Sequence, residues 1–222
     1  MARRGDGGRR QRQRRQQVQY EELGKYPVLP PHAFARIVRD LRTLNIIYQV
    51  IEPPLTKKEE EVRSEIMSIF IQALTADIEE IDANPELYLR AAMDQIIKSY
   101  RLKVNKKSRS KIFYYLKRDL IGYGRMDVLM NDANVEDVSL DGTNIPIFAY
   151  HRKFESVETT IAWPDDVELE SYVIKLAQRC GKHISVAEPL LDATLMDGSR
   201  IVMKLGREVS TRGSTFCIRR FR

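Results

Sequence analysis

Arginine is the residue type in the last quarter of this chain that is best suited to chemistry. Its planar guanidinium presents several donors at once and matches the oxygens of a phosphate group. Each arginine could equally be a solvated strand or turn residue, or pair with a nearby acid such as Asp192 or Glu208. The candidates follow an Asp-Gly turn, stand in a glycine-bounded loop or close the last predicted strand; they are Arg200, Arg207, Arg212, Arg219 and Arg220.

The sequence contains no motif that would bind or cleave a nucleotide by itself. A P-loop needs the pattern G-x-x-x-x-G-K-[ST], in which the glycines let backbone amides approach the phosphates. Gly181-Lys182 is followed by His183, and Leu176 stands where the first glycine would be required. Neither a nucleophile elbow nor the residue order of a catalytic triad occurs. We therefore expect no catalytic residue on this chain.

Metal binding is not predicted either. Cys180 and His183 have a ligand-like spacing, but no second pair completes a zinc site. Cys180 falls in the apolar stripe of a predicted helix, so a small buried side chain is its expected role. With Cys217 as the other cysteine, the sequence favours a reduced, cytosolic setting.

The net charge of +6 resides in the first residues of the chain. Residues 1–19 hold seven arginines and one acid, while the remaining residues hold 30 basic and 30 acidic side chains. Because this Arg- and Gln-rich segment has almost nothing apolar to bury, we predict a disordered tail over 1–19. Its charge could attach it to an anionic membrane surface or to nucleic acid. The remainder is not predicted to carry a basic groove for nucleic acid.

Residues 20–121 are predicted to be mainly helical. Apolar residues from Phe34 to Leu44 recur at helical spacing, and a Thr56–Glu59 capping box and an Asn84-Pro85 start signal each open a further helix. The β-branched run 46–51 is the exception and predicts a strand. Residues 103–111 are interpreted as a basic connector before a last helix that ends at Gly122.

Residues 122–222 are predicted to form a mixed α/β domain. Segments 135–140 and 145–150 flank an Asp-Gly turn and predict a hairpin, and 154–161 predicts a third strand. Asp165 and Asp166 open a helix that ends at Gly181. Residues 189–200 predict a strand and a tight turn, and two further strands follow, at 201–205 and 216–219. The predicted fold class is therefore α+β, an N-terminal helical bundle followed by a mixed α/β domain.

Several motifs of this second half resemble, in order and spacing, the N-terminal region of the type II/IV secretion ATPase superfamily. Within that superfamily the sequence is most similar to the archaeal branch, whose members drive pili, archaella and type II-like secretion. The motifs that carry the resemblance lie at residues 119–127, 136–142, 150–156, 181–185, 197–200 and 218–221.

The resemblance implies a PAS-like fold for the mixed α/β domain and a P-loop core as its partner. That core would follow Arg222, so ATP and Mg²⁺ are implied only in its context. In hexamers of the family, arginines of the N-terminal domain reach the nucleotide held by a core domain. The positions that match this role are Arg200, Arg219 and Arg220, with Arg207 and Arg212 as weaker candidates.

Three functional hypotheses follow. The first is the N-terminal regulatory and oligomerisation domain of a hexameric secretion or pilus/archaellum-assembly ATPase. No apolar run approaches the roughly 20 residues that cross a bilayer, so this hypothesis implies a cytoplasmic protein, peripheral at the inner face of the cell membrane beside a polytopic platform protein. The second is a stand-alone adaptor that docks to this platform without nucleotide. The third is binding of nucleic acid or an anionic membrane through the tail.

Overall fold

The computed structural model describes residues 19–73 and 84–221, so most of the predicted tail over 1–19 lies outside the described residues. The described residues form nine strands, which are β1 (Tyr20–Leu29), β2 (Ala33–Asp40), β3 (Ile46–Ile51), β4 (Val135–Leu140), β5 (Phe148–His151), β6 (Glu155–Thr159), β7 (Leu190–Thr194), β8 (Arg200–Lys204) and β9 (Thr215–Arg219). They also form five α-helices, which are α1 (Lys57–Ala73), α2 (Pro85–Ser99), α3 (Lys106–Leu120), α4 (Asp127–Asn131) and α5 (Asp166–Arg179).

All nine strands belong to one mixed sheet with the order β1-β2-β3-β6-β5-β4-β9-β8-β7. Neighbouring strands are antiparallel except at β3 and β6, which pair in parallel through Ile47 with Glu158 and Tyr48 with Thr159. The first three strands of the chain are therefore hydrogen-bonded to the strands of its second half.

The prediction that residues 20–121 are mainly helical is wrong for residues 20–40, which form β1 and β2, whereas the strand predicted over 46–51 is confirmed as β3. The buried side chains of β2 alternate as Ala33, Ala35 and Ile37, which is the period of a strand. The helical interpretation counted Leu41 and Leu44, which are exposed in the turn after β2. Since strands precede α1, the helical part of the chain is not N-terminal.

The helices that follow begin where the capping signals predict. The Thr56 N–H donates to Glu59 Oε2 at 2.8 Å, and the Glu59 N–H donates to Thr56 Oγ1 at 3.3 Å. Asn84 Oδ1 accepts the Leu87 N–H at 3.1 Å. Asn105 caps α3 in the same way, so the connector predicted over 103–111 is wrong from Lys106 onward. Helices α1, α2 and α3 share a hydrophobic cluster that includes Ile66, Leu89, Met93, Ile96, Ile112, Phe113 and Leu116.

The elements predicted for the second half are confirmed. Strands β4 and β5 pair as the antiparallel hairpin predicted around Asp141-Gly142, and β6 continues it. Asp165 caps α5 by accepting the Glu168 N–H at 2.8 Å. Strands β7, β8 and β9 form the antiparallel end of the sheet. The division of the chain into separate domains stays a prediction.

The main hydrophobic core joins one face of the sheet to α5. Leu169, Val173 and Leu176 of α5 belong to the same buried cluster as the inward-facing residues of β4, β8 and β9. Trp163 lies in this core with its ring centroid 4.7 Å from that of Tyr172. Since α5 covers this face beneath β8 and β9, the residues that alternate with the buried ones on these strands face outward.

Candidate functional site

The outward face of the sheet at its β5–β7 end carries the principal candidate residues. We call it the open face. Its side chains are exposed or half-buried because their neighbours along each strand point into the core. The open face consists of Asp137 and Ser139 of β4, Phe148 and Tyr150 of β5, Leu190, Asp192 and Thr194 of β7, Arg200, Val202 and Lys204 of β8, and Thr215, Cys217 and Arg219 of β9.

Arg200 and Arg219 are brought together on this face. They are direct cross-strand partners of β8 and β9, and Arg219 is also paired in register with Asp137 of β4. The Arg219 Nε donates to Asp137 Oδ1 at 3.0 Å, and this hydrogen bond raises the pKa of Arg219. The side chain of Arg219 is still 80% exposed. Arg200 forms no ion pair with a residue in the described part of the chain.

Two adjacent cations on a sheet are unfavourable unless they have a counter-ion, because directly opposed like charges destabilise a strand pair. Asp137 forms its ion pair with Arg219, and Arg200 has no such partner among the described residues. An anion could therefore bind beside Arg200, and two planar donors next to each other could both contact a phosphate group.

Arg207 is occupied by a different contact. Its Nε donates to Asp166 Oδ2 at 2.6 Å, in the first turn of α5. Thr143 Oγ1 donates to the other oxygen of the same carboxylate. The Arg207 hydrogen bond, followed by that of Thr143, lowers the pKa of Asp166. Arg207 thus fastens the loop between β8 and β9 to the start of α5.

Arg212 contributes to the fold through its backbone, and its side chain is exposed. The Thr143 N–H donates to the Arg212 carbonyl oxygen at 2.8 Å, which joins the β8–β9 loop to the β4–β5 turn. This approach requires Gly142, where φ is +133° and an added Cβ would lie 2.8 Å from the Arg212 carbonyl carbon. The loop that holds Arg207 and Arg212 is therefore fixed at both places.

Arg220 is half-buried and lies apart from the open face. Its Nη1 donates to the carbonyl oxygens of Val135 at 2.9 Å, Leu129 at 3.4 Å and Asp132. These carbonyls belong to α4, to the segment after it and to the start of β4. The contacts favour a structural role for Arg220, which joins the end of β9 to the end of α4.

A buried polar network was not foreseen from the sequence. The hydroxyls of Tyr26 and Tyr48 donate to Asp132 Oδ2 at 2.6 and 2.7 Å, and Tyr26 Oη lies 3.0 Å from His151 Nε2. His151 Nδ1 accepts the Lys153 N–H, so Nε2 carries the proton and donates to Tyr26. No sequence signal could have grouped residues so far apart along the chain.

The charge states of this network follow from its burial. Burial first, and then the Asp132 carboxylate, raise the pKa of Tyr26 and Tyr48, so both stay protonated as donors. Burial lowers the pKa of His151, which favours the neutral ring. The hydroxyl protons of Tyr26 and Tyr48 and the ring proton of His151 each have an acceptor within the network. These hydrogen bonds favour a structural role for the network.

Other candidate chemistry is sparse in the described residues. Cys180 is partly buried and Cys217 is exposed, and both are free thiols. Within 19–73 and 84–221, no three His, Cys, Asp or Glu side chains are grouped so that they could hold a metal ion. None of the described helices combines the length and the apolar character that a membrane crossing needs.

Comparison with known proteins identifies archaeal relatives. The uncharacterised protein MJ1288 of Methanocaldococcus jannaschii is 42% identical over 164 residues, which are 73% of this chain and 65% of that protein. The uncharacterised proteins MJ0900 and MJ0781 of the same organism are 38% identical over 121 residues and 36% identical over 110 residues. These alignments cover 54% and 49% of this chain but only 22% and 15% of the two relatives. The chain thus spans less than two thirds of each of these relatives.

The structural comparison gives a weaker similarity, and no protein-family model matches the chain. The structure of the VirB11 ATPase from the type IV secretion system of Brucella suis aligns with a TM-score of 0.35 and 22% sequence identity. The alignment covers 42% of this chain and 28% of that protein. A match of this extent supports no conclusion about fold or function. What the comparisons establish is a sequence similarity to archaeal proteins that are themselves uncharacterised.

Proposed function

We propose that this chain is the N-terminal regulatory and oligomerisation part of a hexameric secretion, pilus or archaellum-assembly ATPase. In this proposal Arg200 and Arg219 contact the nucleotide held by a P-loop core. The observation that carries it is the cross-strand pairing of these two arginines on the open face, where Arg219 alone of the two has an ion-pair partner among the described residues.

Two further observations support the proposal. The sequence motifs around Arg200 and Arg219 resemble those of the secretion ATPase superfamily. The relatives MJ0900 and MJ0781 are much longer than the segment they share with this chain, so the segment occurs joined to further sequence in those proteins. Both observations fit a module that acts together with another domain.

The division of labour in the proposed motor follows from the residues present. ATP with Mg²⁺ would be bound by the core, which supplies the phosphoryl-transfer chemistry, because this sequence has no P-loop. Arg200 and Arg219 would contact phosphate oxygens across the interface and stabilise negative charge there. Because Arg220 and Arg207 already bind Val135 and Asp166, they would hold the strand end and the loop in position.

The finer architecture belongs to the same proposal. We infer a PAS-like arrangement for the second half, a bundle of α1, α2 and α3 beside it, and a ring of six copies in the assembled motor. A polytopic membrane platform would be a further partner, which would place the protein at the inner face of the cell membrane.

The experiment measures ATP turnover in a motor reconstituted from this chain and a cognate P-loop core. We expect the chain to stimulate phosphate release, and Arg200→Ala or Arg219→Ala to reduce the stimulated rate at least about tenfold. Lys204→Ala is the matched control, because Lys204 is a cation on the same strand and the same face as Arg200. Its rate should remain close to that of the unmodified chain.

Two results would contradict the proposal. Turnover that does not respond to the chain would remove its regulatory role. Equal losses for Lys204→Ala and Arg200→Ala would show that the arginines act only through the general charge of the open face. Circular dichroism of each variant establishes that the fold is unchanged, which is expected for exposed side chains.

A further inference from the structure

A second candidate site lies away from the open face, in a groove between the β1–β2 turn and helices α2 and α3. The groove has a volume of about 570 Å³. Pockets that bind small organic molecules measure roughly 300–1,000 Å³. The groove is therefore large enough for such a ligand, and it involves neither Arg200 nor Arg219.

The floor and one wall of the groove are apolar. Leu29, Pro30 and Pro31 of the β1–β2 turn line one side. Met93 of α2 and Phe113 of α3 line the other and are almost completely buried in the cluster shared by the helices. An apolar group that enters the groove would contact these side chains and leave water, which is favourable in proportion to the area that it buries.

The rim of the groove carries more positive than negative charge. The acids there are Glu86 and Asp94 of α2. Glu86 is shared by two cations, at 2.5 Å from Lys117 Nζ and 3.7 Å from Arg90, and Asp94 pairs with Arg109. The cations are Arg90, Lys106, Arg109 and Lys117. The rim therefore has a surplus of two positive charges.

Two of these cations are available for a ligand. Lys106 forms no ion pair with any residue that the structure describes. The guanidinium of Arg90 lies 4.0 Å from the centroid of the Phe113 ring, which holds it against the groove, and its ion pair with Glu86 is long and exposed. Exposed ion pairs contribute at most about 1 kcal/mol, so an incoming anion can compete for such a partner.

The cation deeper in the groove already has acidic partners. Arg118 donates to Glu52 at 2.8 Å and to Asp119 at 2.7 Å. Asp127 accepts the Tyr123 N–H at 2.9 Å, and burial raises its pKa. Because Arg118 is already paired and Asp127 is an acid, the attraction for an anion comes from the rim.

We propose that this groove binds a small organic anion whose apolar body lies on Phe113, Met93 and the two prolines and whose phosphate or carboxylate group contacts Lys106 and Arg90. Such chemistry has two sources, a free phosphorylated or carboxylated metabolite and the headgroup region of an anionic lipid. The site is independent of the function proposed for the open face.

The test uses the full chain and the fluorescent probe 1-anilinonaphthalene-8-sulfonate, a small aromatic anion. We expect one saturable site, and Lys106→Gln should weaken binding about twofold to fivefold, as loss of one exposed charge contact predicts. Lys107→Gln is the matched control. Lys107 is the next residue of α3 and is equally exposed, but it does not line the groove. It should bind the probe as the unmodified chain does.

Competition separates the two halves of the proposed ligand. Phenyl phosphate should displace the probe at concentrations at least about tenfold lower than inorganic phosphate or benzyl alcohol, because only phenyl phosphate engages both the rim and the floor. Absence of saturable probe binding, equal weakening by Lys106→Gln and Lys107→Gln, or equal competition by inorganic phosphate would each overturn the proposal.

Flotation with phosphatidylglycerol and phosphatidylcholine vesicles identifies the source of the anion. If phosphatidylglycerol vesicles displace the probe and Lys106→Gln floats less than Lys107→Gln, the ligand is a lipid headgroup. If the vesicles leave the probe bound while phenyl phosphate displaces it, the ligand is a free anion. Comparing the two lysine variants removes any contribution of the Arg-rich tail, which is identical in both.

Discussion

At the scale of single residues, five arginines of one chemical type have different environments. Arg200 and Arg219 lie side by side on the open face, Arg207 binds a helix N-terminus and Arg220 binds backbone carbonyls. The guanidinium of Arg220, whose Nη1 contacts three carbonyl oxygens, is less available to a ligand than the exposed side chains of Arg200 and Arg219.

His151 makes stability depend on pH. Since burial lowers the pKa of the folded His151 below its ordinary value of 6.5, the unfolded chain binds this proton more tightly than the folded chain. As far as His151 is concerned, the free energy of unfolding should be highest above pH 6.5. It should decrease as the pH falls from 6.5 through the lower pKa of the folded state. Urea unfolding at pH 7.5 and pH 5.5 measures the difference, which should be smaller for His151→Gln.

The comparison variant is His183→Gln, which removes an exposed histidine from the segment after α5. It should keep the pH dependence of the unmodified chain. If His151→Gln showed the same loss of stability on acidification as the unmodified chain, the protonation of His151 would not be the cause.

At the scale of elements, two loops determine how the open face is held. The β8–β9 loop is attached to α5 through Arg207 and Asp166, and to the β4–β5 turn through Arg212 and Thr143. The second attachment depends on the tight turn at Gly142, which the Arg212 backbone approaches closely. The position of β9 beside β4 is thus supported at the turn as well as by the ladder of hydrogen bonds.

Gly142→Ala tests the contact between the Gly142 turn and the Arg212 backbone. Gly181→Ala is the comparison, because it introduces backbone strain without such a contact. An alanine at Gly142 must adopt φ near +133° and also displace the Arg212 backbone, so we expect a loss of at least about 3 kcal/mol. Gly181→Ala imposes a positive φ, +64°, with no atom within 4 Å of the added Cβ, and should cost about 1 kcal/mol. Urea unfolding measures both; equal losses would show that the contact with Arg212 is unimportant.

At the scale of the whole molecule, the parallel contact of β3 with β6 and the buried polar network join the first three strands to the second half. Tyr26 and Tyr48 come from β1 and β3, whereas Asp132 and His151 come from the segment after α4 and from β5. Ala35, Ile37 and Tyr48 also belong to the main core. We therefore expect these parts to unfold together.

Tyr48→Phe tests this coupling. It removes a fully buried donor to the Asp132 carboxylate, which should lower the free energy of unfolding by about 1.5–3 kcal/mol. Trp163, the single tryptophan, lies in the core of the second half. Its fluorescence and far-UV circular dichroism should therefore report the same shifted transition.

Tyr20→Phe is the control for this variant, because Tyr20 is an exposed tyrosine at the start of β1. It should leave the unfolding transition unchanged. A Trp163 transition that is unaffected by Tyr48→Phe, while circular dichroism changes, would show that the first three strands unfold separately.

The local features of this protein follow from short sequence patterns. The Thr56–Glu59 capping box, the Asn84-Pro85 start and the Asp141-Gly142 turn act over a few residues, so their geometry depends on neighbours that are visible in the sequence. Alternation and turn residues likewise predicted the strands over residues 122–222, but they did not predict that β8 pairs with β9 and places Arg200 beside Arg219.

Features that depend on distant partners could not be predicted from such patterns. β2 has alanines at two of its buried positions, so the large apolar residues alone did not show the alternation of a strand. The segment is a strand because it pairs with β1 on one side and β3 on the other. The hydrogen bonds of the buried polar network join Tyr26 and Tyr48 to Asp132 and Tyr26 to His151. Like the pairing of Arg219 with Asp137, they connect residues that are 82 to 125 positions apart in the sequence. Such contacts arise from the order of strands in the sheet, which no local pattern encodes.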